Sequence, residues 1–276
     1  MAYLEDRVAD LEKRIDKLEK AAVPAPPKFD FFATFPVLGR FRNDPGDGVS
    51  NDGVWWVEQK TLDRVTVVPI GRDGATGLRL HTEPGDTDVS GSGVHERADV
   101  ALPRETTNAV YGSEQWWAHS ILFPGDYVIP PAGGWNVLFN FHDTRNRGGQ
   151  ANFQLFAGMD GLFFQGHAGP TVIGDNNDWG GNQYSYTSTR WPIVRNVWMD
   201  FVYHVKWSAR ADGFFDAWVN GKRKLSHIGP TLYEGYSVFL KLSNYHSAHG
   251  KPSSVIHDRI VCGKDYTVSL TSLEGA

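Results

Sequence analysis

The sequence predicts an all-β sandwich or jelly roll that follows a short amphipathic helix and a proline-rich linker. Apolar residues recur every three or four positions only at the start of the chain. The remainder consists of short β-rich runs with 30 glycines and 15 prolines distributed among them, which is typical of many strands joined by tight turns. A chain of 276 residues, 41% of them hydrophobic, can bury one large core, because β sandwiches of roughly 200 to 250 residues commonly form a single domain.

Residues 1–20 form a predicted coiled-coil oligomerisation helix. Their apolar residues occupy the a and d positions of nearly three heptads: Met1, Leu4, Val8, Leu11, Ile15 and Leu18. Arg7 can pair with Glu12, and Arg14 with Glu19, on neighbouring chains. The alternative is a single amphipathic helix that packs on its own domain.

The number of strands in this coiled coil is indicated by two conflicting patterns. Val8 and Ile15 at a positions, with leucines at d, favour a dimer. The segments 7–12 and 14–19 instead resemble the Arg-apolar-x-x-apolar-Glu signature of short three-stranded coiled coils. We expect a homotrimer.

The helix ends at residues 21–28, AAVPAPPK, because three prolines remove backbone donors and restrict the residues before them. The β domain is predicted over residues 29–276. Its best-defined strand is Trp198–Trp207, in which apolar and polar residues alternate. Asn220-Gly221 follows the next strand, Phe214–Val219, and predicts a hairpin with a type I′ turn.

Charge and composition exclude several classes of partner. The formal net charge of −5 gives no basic excess for nucleic acid or an anionic membrane. No segment approaches the roughly 18 apolar residues that a membrane span needs, and the N-terminus has no apolar signal-peptide region. A single cysteine, Cys262, cannot form an internal disulfide and is predicted to be a buried apolar residue.

Candidate site residues occur at even spacing in three predicted strands, which places each set on one face of its strand. The sets are Arg97 with Asp99, Asn140 with His142, and Lys241 with Tyr245. If the three strands are neighbours, six polar groups converge. Structural roles explain the same residues: a hydrogen-bonded histidine, a cross-strand salt bridge and a packed tyrosine.

Two polar, glycine-rich segments are candidate ligand loops, residues 142–150 and 175–186, and we assign Arg145 in the first to substrate binding. Ordinary turns also explain them. The histidines His246, His249 and His257 lack a metal-site spacing, so we expect no cofactor and no transition metal. Calcium stays open, although Asp175 and Asp178 lack the rest of a calcium loop.

Four segments of the β domain resemble the jelly-roll polysaccharide lyases, which include alginate, glucuronan and heparin-type lyases. The segments are HERADVAL (95–102), WNVLFNFH (135–142), YSVFLKLSNY (236–245) and the stretch 198–222. The resemblance covers most of residues 29–273. It implies a concanavalin-like β-jelly-roll sandwich.

The resemblance also implies β-elimination at a uronic acid. Arg97 and Asn140 would stabilise the substrate carboxylate, His142 or Tyr245 would take the C5 proton, and Tyr245 would protonate the leaving oxygen. Lys241 and Asp99 would support substrate binding. Asparagine and aspartate, however, stand at 140 and 99 where the family has the longer glutamine and glutamate.

Three functional hypotheses follow. The first is a polysaccharide lyase, which is either a free-standing cellular enzyme or a component of a virion. The second is a non-catalytic carbohydrate-binding or decoration protein on a lyase scaffold. The third is a cellular lectin-like protein. Because a coiled coil followed by a carbohydrate-type β domain is the layout of bacteriophage tail or head fibres, we expect a homotrimeric minor tail or fibre protein. Its partners would be itself, a cell-surface polysaccharide and other virion proteins.

Overall fold

The computed structural model describes residues 31–72, 76–87, 89, 93–144, 151–169 and 184–265. The predicted coiled-coil helix (1–20), the linker (21–28), Arg145 and most of the 175–186 loop lie outside these described residues.

A nine-stranded antiparallel sheet, here the first sheet, forms one layer of the described structure. Its strands are β1 (Phe31–Ala33), β2 (Gly39–Arg40), β5 (Val65–Val68), β6 (Gly77–Thr82), β8 (Glu114–Leu122), β13 (Trp198–Lys206), β14 (Phe214–Val219), β15 (Lys222–Ile228) and β17 (Ser253–Gly263). Their order is β15-β14-β13-β8-β17-β6-β5-β2, and β1 also pairs with β17.

An eight-stranded antiparallel sheet, the second sheet, forms the other layer of the described structure. Its strands are β3 (Gly46–Val49), β4 (Trp56–Gln59), β7 (Glu96–Leu102), β9 (Asn136–Asp143), β10 (Phe153–Gly158), β11 (Gly161–Ala168), β12 (Tyr184–Thr187) and β16 (Val238–His246). Their order is β12-β11-β10-β9-β16-β7-β4-β3, so distant parts of the chain meet at its centre.

The hydrophobic core lies between the two sheets, where aromatic side chains from both layers meet. Phe139 on β9 stacks on Tyr203 of β13 with ring centroids 5.1 Å apart, and Phe141 meets Trp207 edge-on at 5.0 Å. The prediction of an all-β jelly-roll sandwich is therefore confirmed. Among the described residues the only helix is α1 (Arg104–Thr107), and none is long and apolar enough to cross a membrane.

The strand and turn predictions match local structure closely. Along β13 the predicted apolar residues Met199, Phe201 and Tyr203 are buried, while their polar neighbours face outward, as alternation requires. Asn220 and Gly221 have φ values of 47° and 73°, the positive angles that a type I′ hairpin turn demands. Cys262 is buried, as expected.

Candidate active site

The three strands with the predicted site residues are neighbours, in the order β9-β16-β7, at the centre of the second sheet. Lys241 lies opposite Asn140, His142 opposite Phe239, and Arg97 opposite Tyr245. Their sequence neighbours Phe139, Phe141, Leu240 and Leu242 are buried in the core. The candidate residues therefore lie on the other side of the second sheet, called the outer face below.

A network of four charged side chains occupies the outer face at β4, β7 and β16. Lys241 Nζ contacts both Glu58 Oε2 and, at 3.1 Å, Asp99 Oδ2. Arg97 lies 3.3 Å from the same Asp99 oxygen and 3.6 Å from Glu58. Burial works against the charged guanidinium, but Asp99 and Glu58 outweigh it and raise the Arg97 pKa. Two cations thus balance two carboxylates, and the network fixes both cations in place.

Within the described ranges, only one ring nitrogen of His142 has a hydrogen-bond partner. Its Nδ1 lies 3.0 Å from the carbonyl oxygen of Asp143, which can only accept, so Nδ1 carries the proton and Nε2 carries the lone pair. Burial lowers the pKa of His142, and the charges of Lys241 and Arg97 add to that effect against the opposing influence of Asp143. The imidazole is therefore neutral at pH 7 and able to act as a base.

Tyr245 lies in an aromatic corner at the other end of β16. The Arg97 guanidinium carbon lies 3.9 Å from its ring centroid. Trp135 meets the ring edge-on at 4.9 Å, and His95 does so at 6.1 Å. Because two rings and a guanidinium surround the phenol, its position is well defined.

The strand register separates His142 from Tyr245. His142 pairs with Phe239, which lies six positions before Tyr245 on β16. Tyr245 pairs with Val137, which lies five positions before His142 on β9. At about 3.3 Å per residue this is a backbone separation of roughly 16–20 Å. The imidazole that the structure places against Tyr245 is instead His95, which the sequence analysis quoted within a motif but did not select.

Asn140 lies between these two ends and is 5% exposed. Its Nδ2 contacts Ser243 Oγ at 3.5 Å, whereas Oδ1 has no hydrogen-bond partner among the described residues. A hydroxyl donates as readily as it accepts, so the amide can present either its oxygen or its nitrogen to a ligand.

Further outer-face residues were missed by the sequence analysis. Gln154 lies beside Asn140 and is followed across the sheet by Gln165 and Thr187. Together with Lys241 and Asn140, these three residues form a polar row across five neighbouring strands. The row is about 19 Å long at the usual spacing between strands. For Gln154 the signal was present, because it lies between the apolar residues Phe153 and Leu155 just as the selected residues lie between apolar neighbours.

An aromatic pair lies next to this polar row. Phe156 on β10 stacks on Phe163 of β11, with centroids 5.3 Å apart and planes at 11°. The Arg190 guanidinium carbon lies 4.2 Å from the Phe163 ring centroid. Both rings are only partly buried, so the outer face combines hydrogen-bonding groups with flat apolar surface.

Comparisons with known proteins agree with this architecture. A family model described as "Polysaccharide lyase" matches residues 44–261. An endo-β-1,4-glucuronan lyase from the fungus Trichoderma reesei has a similar fold, with a TM-score of 0.59 and 16% identity over 88% of this chain and 98% of that one. The alginate lyase Aly36B gives a TM-score of 0.51 and 15% identity over 87% and 98% of the two chains. No curated protein sequence matches this chain.

Proposed function

This chain belongs to the polysaccharide lyase family, and from that premise we propose that its outer face binds an acidic cell-surface polysaccharide and cleaves it by β-elimination. The observation that carries the proposal is the corner in which the Tyr245 phenol lies against the Arg97 guanidinium and the His95 imidazole. An acid, a cation and a base are the three groups that this reaction needs.

In β-elimination a base removes the C5 proton beside the uronate carboxylate. The electron pair forms a C4–C5 double bond as the bond from C4 to the glycosidic oxygen breaks. That oxygen takes a proton from an acid. Negative charge spreads into the carboxylate in the transition state, so a fixed cation or amide beside it lowers the barrier.

We assign Tyr245 as the acid and Arg97 as the group that stabilises the carboxylate. His95 is the base that we favour because it lies closest to Tyr245. His142, with its free Nε2, is the rival base from the sequence analysis. Asn140, Lys241, Asp99 and, outside the described residues, Arg145 are assigned to holding the neighbouring sugar units.

Two histidine variants test these assignments. Purified chain, His95→Ala and His142→Ala are incubated with uronate polymers, and the unsaturated product is followed by its ultraviolet absorbance. We expect His95→Ala to lose at least about a hundredfold in rate, the typical contribution of a general base, and His142→Ala to lose much less. The reverse order would transfer the role of base to His142. Absence of product from the unmodified chain on every polymer would contradict catalysis.

A non-catalytic carbohydrate-binding protein is the second candidate, and one observation favours it. Arg97 and Lys241 are already balanced by Glu58 and Asp99, so fewer free positive charges meet a substrate carboxylate. Binding to an acidic glycan without any unsaturated product would support this candidate.

We also propose that residues 1–20 assemble a homotrimer and that the protein is a phage-type minor tail or fibre protein on the virion. The heptads and the two Arg-to-Glu signatures support the trimer. Three linked glycan sites would gain affinity through effective concentration.

Sedimentation of the full chain beside a chain that lacks residues 1–28 tests the assembly, and mass spectrometry of purified particles tests the location. A full-length monomer would contradict the trimer, and a free-standing cellular lyase is the alternative to the virion protein.

A further inference from the structure

A cluster of one carboxylate and two imidazoles lies at the end of the β7–β16 strand pair. Glu96 and His246 are cross-strand partners, and His249 follows in the turn after β16. The His246 and His249 rings stack with centroids 4.3 Å apart and planes at 8°. One ligand atom from each of the three side chains lies within 4.8 Å of the others.

Several polar atoms of this cluster lack partners. Glu96 is 2% exposed; its Oε1 accepts a hydrogen bond from the Gly85 backbone N–H at 2.9 Å. Glu96 Oε2 and both ring nitrogens of His249 have no hydrogen-bond partner among the described residues. Buried polar atoms are seldom left unsatisfied, and a buried carboxylate without a donor or cation is destabilising. One bound cation would satisfy Glu96 Oε2 and one ring nitrogen of His249 together, and the other ring nitrogen of His249 would carry the proton.

His246 does not fill that need. Its Nδ1 hydrogen-bonds the carbonyl of Ser247 at 3.0 Å and lies 3.5 Å from Glu96 Oε2, outside normal hydrogen-bond distance. The carboxylate oxygen therefore faces the edge of this imidazole without receiving a hydrogen bond from it.

The other nitrogen of His246 already has the outer contact that is typical of a metal-binding histidine. Its Nε2 lies 2.7 Å from Thr82 Oγ1, and that hydroxyl lies 3.4 Å from the Ser253 carbonyl. When Nε2 carries the proton, it donates to Thr82, and Thr82 donates to Ser253. This tautomer gives up the Nδ1 hydrogen bond to Ser247 and leaves the Nδ1 lone pair available to a cation that Glu96 and His249 also contact, with the outer hydrogen bond to Thr82 in place.

We propose that Glu96, His246 and His249 bind one Zn²⁺ ion, with water as the fourth ligand. Two imidazoles and one carboxylate suit Zn²⁺, whereas Ca²⁺ and Mg²⁺ prefer oxygen ligands alone. Zinc bonds of about 2.0–2.1 Å place tetrahedral ligand atoms about 3.4 Å apart, and the Glu96–His246 separation of 3.5 Å already meets that value. His249 is only partly buried, so the ion and its water can enter from solvent.

The metal site would stabilise the ends of the two strands that carry Arg97 and Tyr245. Glu96 and His246 directly adjoin Arg97 and Tyr245, which form the next pair in the same register. An ion there ties the turn after β16 to both strands. No transition metal was expected from the sequence because the histidines show no metal-site spacing. Glu96 lies 150 positions before His246, and only the fold brings the two together.

Calorimetry and thermal unfolding of the tag-free full chain test the proposal. The chain is stripped with a chelator, dialysed and titrated with zinc chloride. We expect one Zn²⁺ per chain and a rise in the unfolding midpoint, with no rise for Ca²⁺ or Mg²⁺. Co²⁺ should give the visible absorption of a tetrahedral site.

Two variants and a control identify the ligands. His249→Ala removes a ligand from a turn, and Glu96→Gln keeps the shape while it removes the charge. We expect each to weaken Zn²⁺ binding by at least tenfold to a hundredfold, the range seen even for outer partners, and to abolish the Co²⁺ bands. His204→Ala, which disrupts a histidine–glutamate pair on the first sheet, should leave both unchanged. No Zn²⁺ binding to the unmodified chain, or equal binding by His249→Ala, would refute the site.

Discussion

The Arg97 guanidinium lies 3.9 Å from the ring centroid of Tyr245, its direct cross-strand partner. A planar guanidinium over an aromatic face is a favourable contact, and lysine does not reproduce its geometry. This contact therefore holds Tyr245, the proposed acid, against Arg97, the proposed carboxylate-binding group.

The first prediction concerns Arg97→Lys, which keeps the charge but loses the planar contact with Tyr245. We expect a rate of product formation about a hundredfold lower, because small misplacements of reacting groups cost that much. Affinity for the polymer should change little. Initial rates and glycan-binding titrations on the same preparation measure the two effects, and an unchanged rate would separate Arg97 from the reaction.

The second prediction concerns Glu58→Gln. Glu58 balances both Lys241 and Arg97, and its side chain is 13% exposed. Removing one partner of a buried ion network leaves uncompensated charge, so we expect a loss of about 3 kcal/mol in unfolding free energy. Affinity for polyanionic glycans should rise, and the gain should shrink with added salt.

Glu114→Gln is the matched control, because Glu114 pairs with His204 on the first sheet with its side chain 53% exposed. Its unfolding free energy should stay within about 0.5 kcal/mol of the unmodified protein. If Glu58→Gln behaves like this control in denaturant titrations, the four-charge network does not stabilise the fold.

A third prediction follows from Asn140, whose Oδ1 is buried and has no hydrogen-bond partner in the part of the chain that the structure describes. Asn140→Leu has nearly the same shape and removes an unsatisfied polar group, so the free energy of unfolding should not fall. Affinity for the polysaccharide should fall about tenfold if the amide holds a sugar unit. A parallel fall in stability and binding would instead assign Asn140 a structural role.

The sequence predicted local features of the fold well and long-range ones only in part. Alternation along Trp198–Lys206 and the positive-φ turn at Asn220-Gly221 depend on neighbouring residues, and the structure confirms both. Even spacing also identified the outer face. Neighbouring strands, however, are decided by pairing between segments that lie far apart in the sequence, as for β9 (Asn136–Asp143) and β16 (Val238–His246).

The sequence did not predict the strand register, that is, which residues face each other across a pair of strands. His142 pairs with Phe239, six positions before Tyr245, whereas Tyr245 pairs with Arg97. The tyrosine consequently lies near His95 rather than His142. Glu58 reaches the site from β4, which no local spacing connects to Arg97 or Lys241. Motif spacing thus predicted that the candidate residues share one face of the sheet, while their partners on that face required the fold.

The last prediction concerns the pH dependence of stability and a histidine inside the core. His119 is sandwiched between Phe139 and Phe201, at centroid distances of 4.3 and 5.0 Å. Neither ring nitrogen has a hydrogen-bond partner among the described residues. Burial, with the neighbouring His257, lowers the pKa of His119 well below 6.5, and burial lowers that of His257 to about 3.

Both histidines stay neutral in the folded protein at pH values where the unfolded chain protonates them. Below the unfolded pKa of about 6.5 the unfolded state binds more protons, so each histidine removes about 1.4 kcal/mol of stability per pH unit as the pH falls towards its folded pKa. His119→Phe fits the aromatic stack and removes one such titration. We therefore expect it to be close to neutral at pH 8 and increasingly stabilising from pH 6 to pH 4, as measured by denaturant unfolding at each pH. Parallel stability curves for the two proteins would show that His119 does not contribute to acid sensitivity.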